Sequence, residues 1–152
     1  MRVGLRADAR WEKRPWPNSK TIATGGASVL ERNKATVRRL VEEVLNGGRM
    51  EVIDALYAPA LAPEAKAWIA PFRVSFPDVH MEVVELIAEG DTVVGRFTCS
   101  GTHLEEWLGY TPTGRRFEAI DEVSIYRFRN GRIVESWGLE DNLGRLEQLG
   151  LR

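Results

Sequence analysis

The hydrophobic pattern changes period at Phe76-Pro77-Asp78, and this restricts the fold more than any other feature of the chain. Before that point apolar residues recur every three or four positions. After it they alternate, as Val79, Met81 and Val83 do. A period near 3.6 marks an amphipathic helix, and a period of two marks a half-buried strand. Helices grouped ahead of strands do not form the alternating units of a parallel sheet. The chain therefore reads as α+β with an antiparallel sheet.

The helical part opens at Ser28-Val29-Leu30-Glu31, a capping box in which hydroxyl and carboxylate each take a free backbone N–H. Leu30, Val37, Leu40, Val41, Val44 and Leu45 follow as one apolar stripe, ended by Asn46-Gly47-Gly48. A short second helix is expected from about Met50 to Tyr57. A third starts at Pro63, carries Trp68, Ile69 and Phe72, and should be kinked or divided by Pro71. Residues 1–26 differ. Arg2, Arg6, Arg10, Lys13, Arg14 and Lys20 face only Asp8 and Glu12, Pro15 and Pro17 interrupt, and no period is sustained. This predicts a basic, flexible extension over 1–26, with Trp11 and Trp16 as its docking residues if it docks, and a single domain over 27–152.

The strands are expected from Val79 to about Ile87, Val93 to about His103, Phe117 to about Phe128, and Arg132 to about Glu140. A helix from Asp141 to Leu149 closes the domain with Leu143, Leu146 and Leu149 on its apolar side. Asn130-Gly131 is the strongest turn signal, since both residues tolerate the positive φ of a type I′ hairpin. Unbroken pairing from that turn sets Tyr126 opposite Glu135, Ser124 opposite Trp137 and Glu122 opposite Leu139. One face then holds Tyr126, Ser124, Glu122, Trp137 and Asp141. Apolar walls with a few converging polar groups are how small-molecule pockets are built. The other face holds Val123, Ile125 and Val134, a flat apolar patch suited to a partner subunit.

Several classes are disfavoured. Cys99 is the sole cysteine, so no internal disulfide forms, and it reads as a buried structural thiol. His80 and His103 are isolated, and no metal cluster is visible. A net charge of -1 offers no general attraction for nucleic acid or membrane. No apolar run reaches spanning length, and no secretory h-region follows Met1. The expected location is cytoplasmic.

A further set of short motifs falls in a shared order: Phe76-Pro77-Asp78, Gly101-Thr102-His103, the loop 109–114, the run 126–135, Trp137 with Asp141 four residues on, and Gln148-Leu149-Gly150. In that order the chain resembles the SnoaL-like polyketide cyclases of the NTF2-like superfamily. The resemblance implies a curved sheet wrapped by helices into a cone, a homodimer, and acid–base chemistry without metal or organic cofactor. The implied reaction is an aldol-type cyclisation, or a related isomerase or hydrolase step, on an apolar carbonyl compound such as a polyketide. The implied acid/base residue is Asp141. His103 ends the second strand on the side of Phe97 and Cys99, where it is either an acid/base partner at the pocket rim or a structural hydrogen-bond or dimer contact. The hairpin register offers Trp137, Tyr126, Glu122 and Ser124 as substrate-binding residues, and strand alternation adds Phe97. Trp68 joins them, and Trp107 is either a cover over the mouth or an ordinary loop anchor.

Burial beside Trp137 and Leu139 would suit Asp141 as an acid, because burial disfavours the charged carboxylate. Aspartate is equally suited to cap the last helix, which favours the charged form. An exposed, capping Asp141 would favour the alternative of a non-catalytic ligand-binding or dimerisation domain. The chain departs from the family pattern at Ser136, where relatives carry histidine, and in the short stretch 58–62. An epoxide hydrolase would need an arginine with two acids, and the pocket face shows no such arginine.

Overall fold

The computed structural model describes residues 27–152 and the backbone of residues 2–5. The elements run β1 (Arg2–Leu5), α1 (Val29–Arg39, continued by π-helical turns over Leu40–Asn46), α2 (Ile53–Leu56), α3 (Ala62–Ser75), β2 (His80–Glu89), β3 (Thr92–Thr102), β4 (Arg116–Arg129), β5 (Arg132–Glu140) and α4 (Asn142–Leu149). The strands form one antiparallel sheet in the order β1-β5-β4-β3-β2. The helices pack on its inner face and enclose the core. The α+β expectation and the element order from Ser28 onward hold.

Local chemistry accounts for the elements. The Ser28 hydroxyl accepts the Glu31 N–H at 3.2 Å and starts α1, while the Glu31 carboxylate lies 2.6 Å from Lys34 Nζ. Val37, Leu40, Val41 and Val44 are buried, as their spacing requires. Of the kink or division expected at Pro71, helix α3 is not divided and continues to Ser75. Both Pro71 and Ala67, whose carbonyl the proline cannot serve, are exposed, so that carbonyl is not buried without a partner.

The hairpin turn has the predicted form, with φ of 51° at Asn130 and 75° at Gly131. Beyond it the register departs from unbroken pairing. Phe128 pairs with Ile133, but Arg127 pairs with Glu135, leaving Val134 as an extra residue. This bulge reverses the phase of β5. Tyr126 now faces Ser136, Ser124 faces Gly138, and Glu122 faces Glu140. Trp137 pairs with Ile125, on the strand face opposite Tyr126, which corrects the shared face expected for the two.

The bulge makes room inside. Gly95, Ser124 and Gly138 form a row of small residues across β3, β4 and β5. The Phe97 ring folds over Gly95, where an added Cβ would lie 2.2 Å from the ring. Gly95→Ala is therefore expected to cost about 1–3 kcal/mol by overpacking. Chemical denaturation checks this, and an unchanged midpoint would mean that Phe97 moves freely.

The segment 1–26 contributes β1, which pairs Arg2–Leu5 with β5. The expected roles of Trp11 and Trp16 lie outside the described residues. Every buried apolar residue described lies at Val37 or later. Deleting residues 1–24 is thus expected to leave the domain folded with the edge of β5 open. A melting temperature many degrees lower in the truncated chain would show otherwise.

Candidate active site

Between the inner face of the sheet and helices α1 and α3 lies a cavity of about 730 Å³, counting its open mouth. Leu40 and Leu45 from α1, with Trp68, Ile69 and Phe72 from α3, form its apolar side. Phe97 and Met81 close it on the sheet. The polar side is contributed by Tyr57, Glu122, Ser124, Tyr126, Ser136 and Glu140. Apolar walls with a few converging polar groups are the lining of a small-molecule pocket.

Glu122 is the chemically distinctive group. It is only 8% exposed and pairs directly across the sheet with Glu140. Burial, followed by repulsion from Glu140, pushes its carboxyl up to about 7, against the pull of Arg145. Arg145 on α4 is fully buried. Its Nη2 lies 2.7 Å from Glu122 Oε1, its Nη1 lies 2.6 Å from Glu140 Oε2, and Nη1 also donates to Asn142 Oδ1. The guanidinium sits 4.9–5.6 Å from the ring centres of Phe72, Trp107 and Phe117. Burial also raises the phenols of Tyr57 and Tyr126, the latter to about 12. Both remain hydrogen-bond donors at neutral pH.

The structure brings together most of the expected binding residues. Glu122, Ser124, Tyr126, Phe97 and Trp68 all line the cavity. Trp137 borders it too, although its register sets it on the other strand face. Asp141 is not in the lining. It is exposed, and its carboxylate accepts the Gly144 N–H at 2.9 Å as the cap of α4. The strand phase explains this: the bulge turns Glu140, not Asp141, toward Glu122.

His103 is buried away from the cavity wall, with Nδ1 3.3 Å from both the N–H and the hydroxyl of Thr113. Its ring is tilted against Phe76 at 5.5 Å. Burial lowers its proton affinity. It anchors the loop 103–114 from within, which is the structural role and not the rim one. Trp107 is likewise buried, edge-on to Phe76 and behind Arg145, and does not cover the mouth.

Arg145 and Glu140 escaped the sequence reading. The buried face of α4 carries Asn142, Arg145 and Leu149, while Leu143 is 47% exposed. Phasing that helix on Leu143 and Leu146 turned Arg145 outward. The arginine does not join the pocket face; it comes from the helix and holds the two acids from behind. Among the described residues no His, Cys, Asp and Glu group is arranged to hold a metal ion, and no helix is long and apolar enough to cross a membrane.

Residues 35–149 match the SnoaL-like polyketide cyclase family, and the chain belongs to it. It is 29% identical over 109 residues to the aklanonic acid methyl ester cyclase DnrD of Streptomyces peucetius, covering 71% of this chain and 72% of that protein. The structure of IdmH from Streptomyces antibioticus, assigned to the polyketide cyclases, superposes with a TM-score of 0.69 at 30% identity, over 78% of this chain and 98% of IdmH. A SnoaL-like structure from Jannaschia shares the fold, with a TM-score of 0.76 at 21% identity, over 86% of this chain and 99% of its own. The NTF2-like architecture implied by the motif order is the one found.

Proposed function

We propose that the cavity carries out cofactor-independent acid–base catalysis of an aldol-type ring closure on an apolar carbonyl compound of the polyketide ester type, with Glu122 as the acid–base group. The observation that carries this reading is a buried carboxyl at a cavity wall whose proton affinity is raised to about 7. Asp141, exposed and capping α4, was to count for a non-catalytic domain, but that criterion took Asp141 for the acid–base group, and Glu122 now fills that role. A general acid–base group works best when it titrates near the operating pH.

Ionised Glu122 removes a proton from the carbon next to a carbonyl. The resulting enolate carbon attacks a second carbonyl of the same folded substrate, forming the ring bond. The alkoxide left on that carbonyl oxygen takes the proton back from Glu122. The reaction is a net isomerisation, and the carboxylate is regenerated. Tyr57 and Tyr126 support it as phenol donors to developing oxygen charge. The apolar walls shed water and fold the substrate on itself. DnrD, by its name, closes a ring on a methyl ester, and an apolar cavity with a carboxyl pair accords with a neutral substrate of that kind.

Turnover of aromatic polyketide esters and simple ketones tests the reading. Because the first step needs the ionised form, the rate should rise with pH up to about 7. Tight binding of apolar compounds with no turnover across the panel would instead establish a non-catalytic binding domain.

We also propose a homodimer through the outer sheet face, whose row Ile87, Val94 and Ile125 crosses three strands. Val123 and Leu139 beside it are 37% and 49% exposed. A monomer by light scattering at micromolar concentration would exclude this assembly.

A further inference from the structure

We infer that Glu140 and Arg145 are positioning residues, whose joint grip holds the Glu122 carboxyl at the cavity wall and decides its charge. The inference rests on reading Glu122 as the acid–base group. Arg145 is fully buried and absent from the lining, so it acts on substrate only through the carboxylates it holds.

The geometry is specific. The β5 bulge at Val134 sets Glu140 directly opposite Glu122. Each terminal nitrogen of one guanidinium takes one of the two carboxylates, at 2.6 and 2.7 Å. The rings of Phe72, Trp107 and Phe117 surround that guanidinium, and Asn142 holds Nη1 from within α4. A planar fork fixed in this way orients a carboxylate as a lysine cannot.

The charges do not balance unless a proton joins them. Two carboxylates and one cation leave a net negative charge in a buried site, where it is costly. One proton shared by the pair restores neutrality, and Glu122, the more buried of the two, takes it. The other groups facing Glu122 are the Cys99 thiol on β3, which shares a hydrogen bond with it, and the Tyr126 phenol on β4. Burial raises both of those groups, so both stay neutral near pH 7. Glu140 and Arg145 are therefore the charges that set Glu122. They act in opposite senses, Glu140 raising its proton affinity and Arg145 lowering it.

The test is a pH titration of glutamate carboxyls by 13C NMR on the full chain without substrate, with Glu122→Gln identifying the Glu122 signal. The wild-type signal should titrate near 7. Glu140→Gln keeps the shape and removes the repulsion, so the midpoint should fall by about one pH unit, a tenfold loss of proton affinity. Arg145→Lys keeps the charge but cannot grip both carboxylates, so the midpoint should rise. The pH profile of kcat should move with each midpoint. A folded Glu140→Gln protein whose Glu122 midpoint stays in place overturns the inference. A shifted midpoint together with full activity in Glu122→Gln removes the acid–base reading and leaves the control of Glu122 by its neighbours standing.

Discussion

Glu122→Gln is expected to lower turnover by roughly 10²–10⁴-fold with little change in fold, because general acid–base catalysis contributes about that much. Glutamine matches the shape of glutamate, and its carbonyl can still accept from Arg145 Nη2, 2.7 Å away in the native protein. It cannot take a proton from carbon. The remaining Arg145–Glu140 pair is charge-balanced, so no uncompensated charge is created. Asp141→Asn serves as the contrast. Asp141 caps α4 from an exposed position, and asparagine caps nearly as well. Near-native turnover is expected there. Full activity in Glu122→Gln with a large loss in Asp141→Asn would reverse the assignment. Steady-state rates on one accepted ester decide it.

The second large effect is on stability. Arg145→Met should destabilise the domain by about 3–5 kcal/mol, the usual cost of removing one partner from a buried ionic group. It leaves Glu122 and Glu140 facing each other across adjacent strands with no cation between them. Methionine keeps the apolar contact with Phe72, Trp107 and Phe117, so the loss is mainly electrostatic. The same change in a Glu122→Gln, Glu140→Gln background should cost far less, since no buried charge is then stranded. The difference is the coupling energy of the cluster. Urea denaturation of the four proteins measures it. A cost below about 1 kcal/mol with both glutamates present would contradict the buried-ion account.

How much of the site was legible follows from how far each inference had to reach. Phe97 on β3 and Glu122, Ser124 and Tyr126 on β4 were placed together correctly. Alternation within one strand is a property of that strand alone. Asn130-Gly131 also behaved as read, because positive φ at two successive residues is a local preference.

Errors began where two segments had to meet. A single unpaired residue, Val134, inverted β5, exchanged Trp137 for Ser136 opposite Tyr126, and turned Glu140 toward Glu122. A bulge depends on how two strands fit, so no run of β5 announces it. The orientation of α4 was missed for a related reason: Leu143, Leu146 and Leu149 look like its core face until the sheet selects Asn142, Arg145 and Leu149.

The sequence by itself determined the order of helices and strands, the helix start at Ser28, the hairpin turn and the inward side of β3 and β4. These depend on hydrophobic period and backbone preference over a few residues. Only the tertiary structure decided which carboxylate reaches the cavity, which becomes a cap, and where the cation that holds Glu122 comes from. Those depend on contacts such as Glu122–Arg145, between residues 23 positions apart in the chain. Burial, which gives such contacts their electrostatic strength, exists only once sheet and helices have closed on each other.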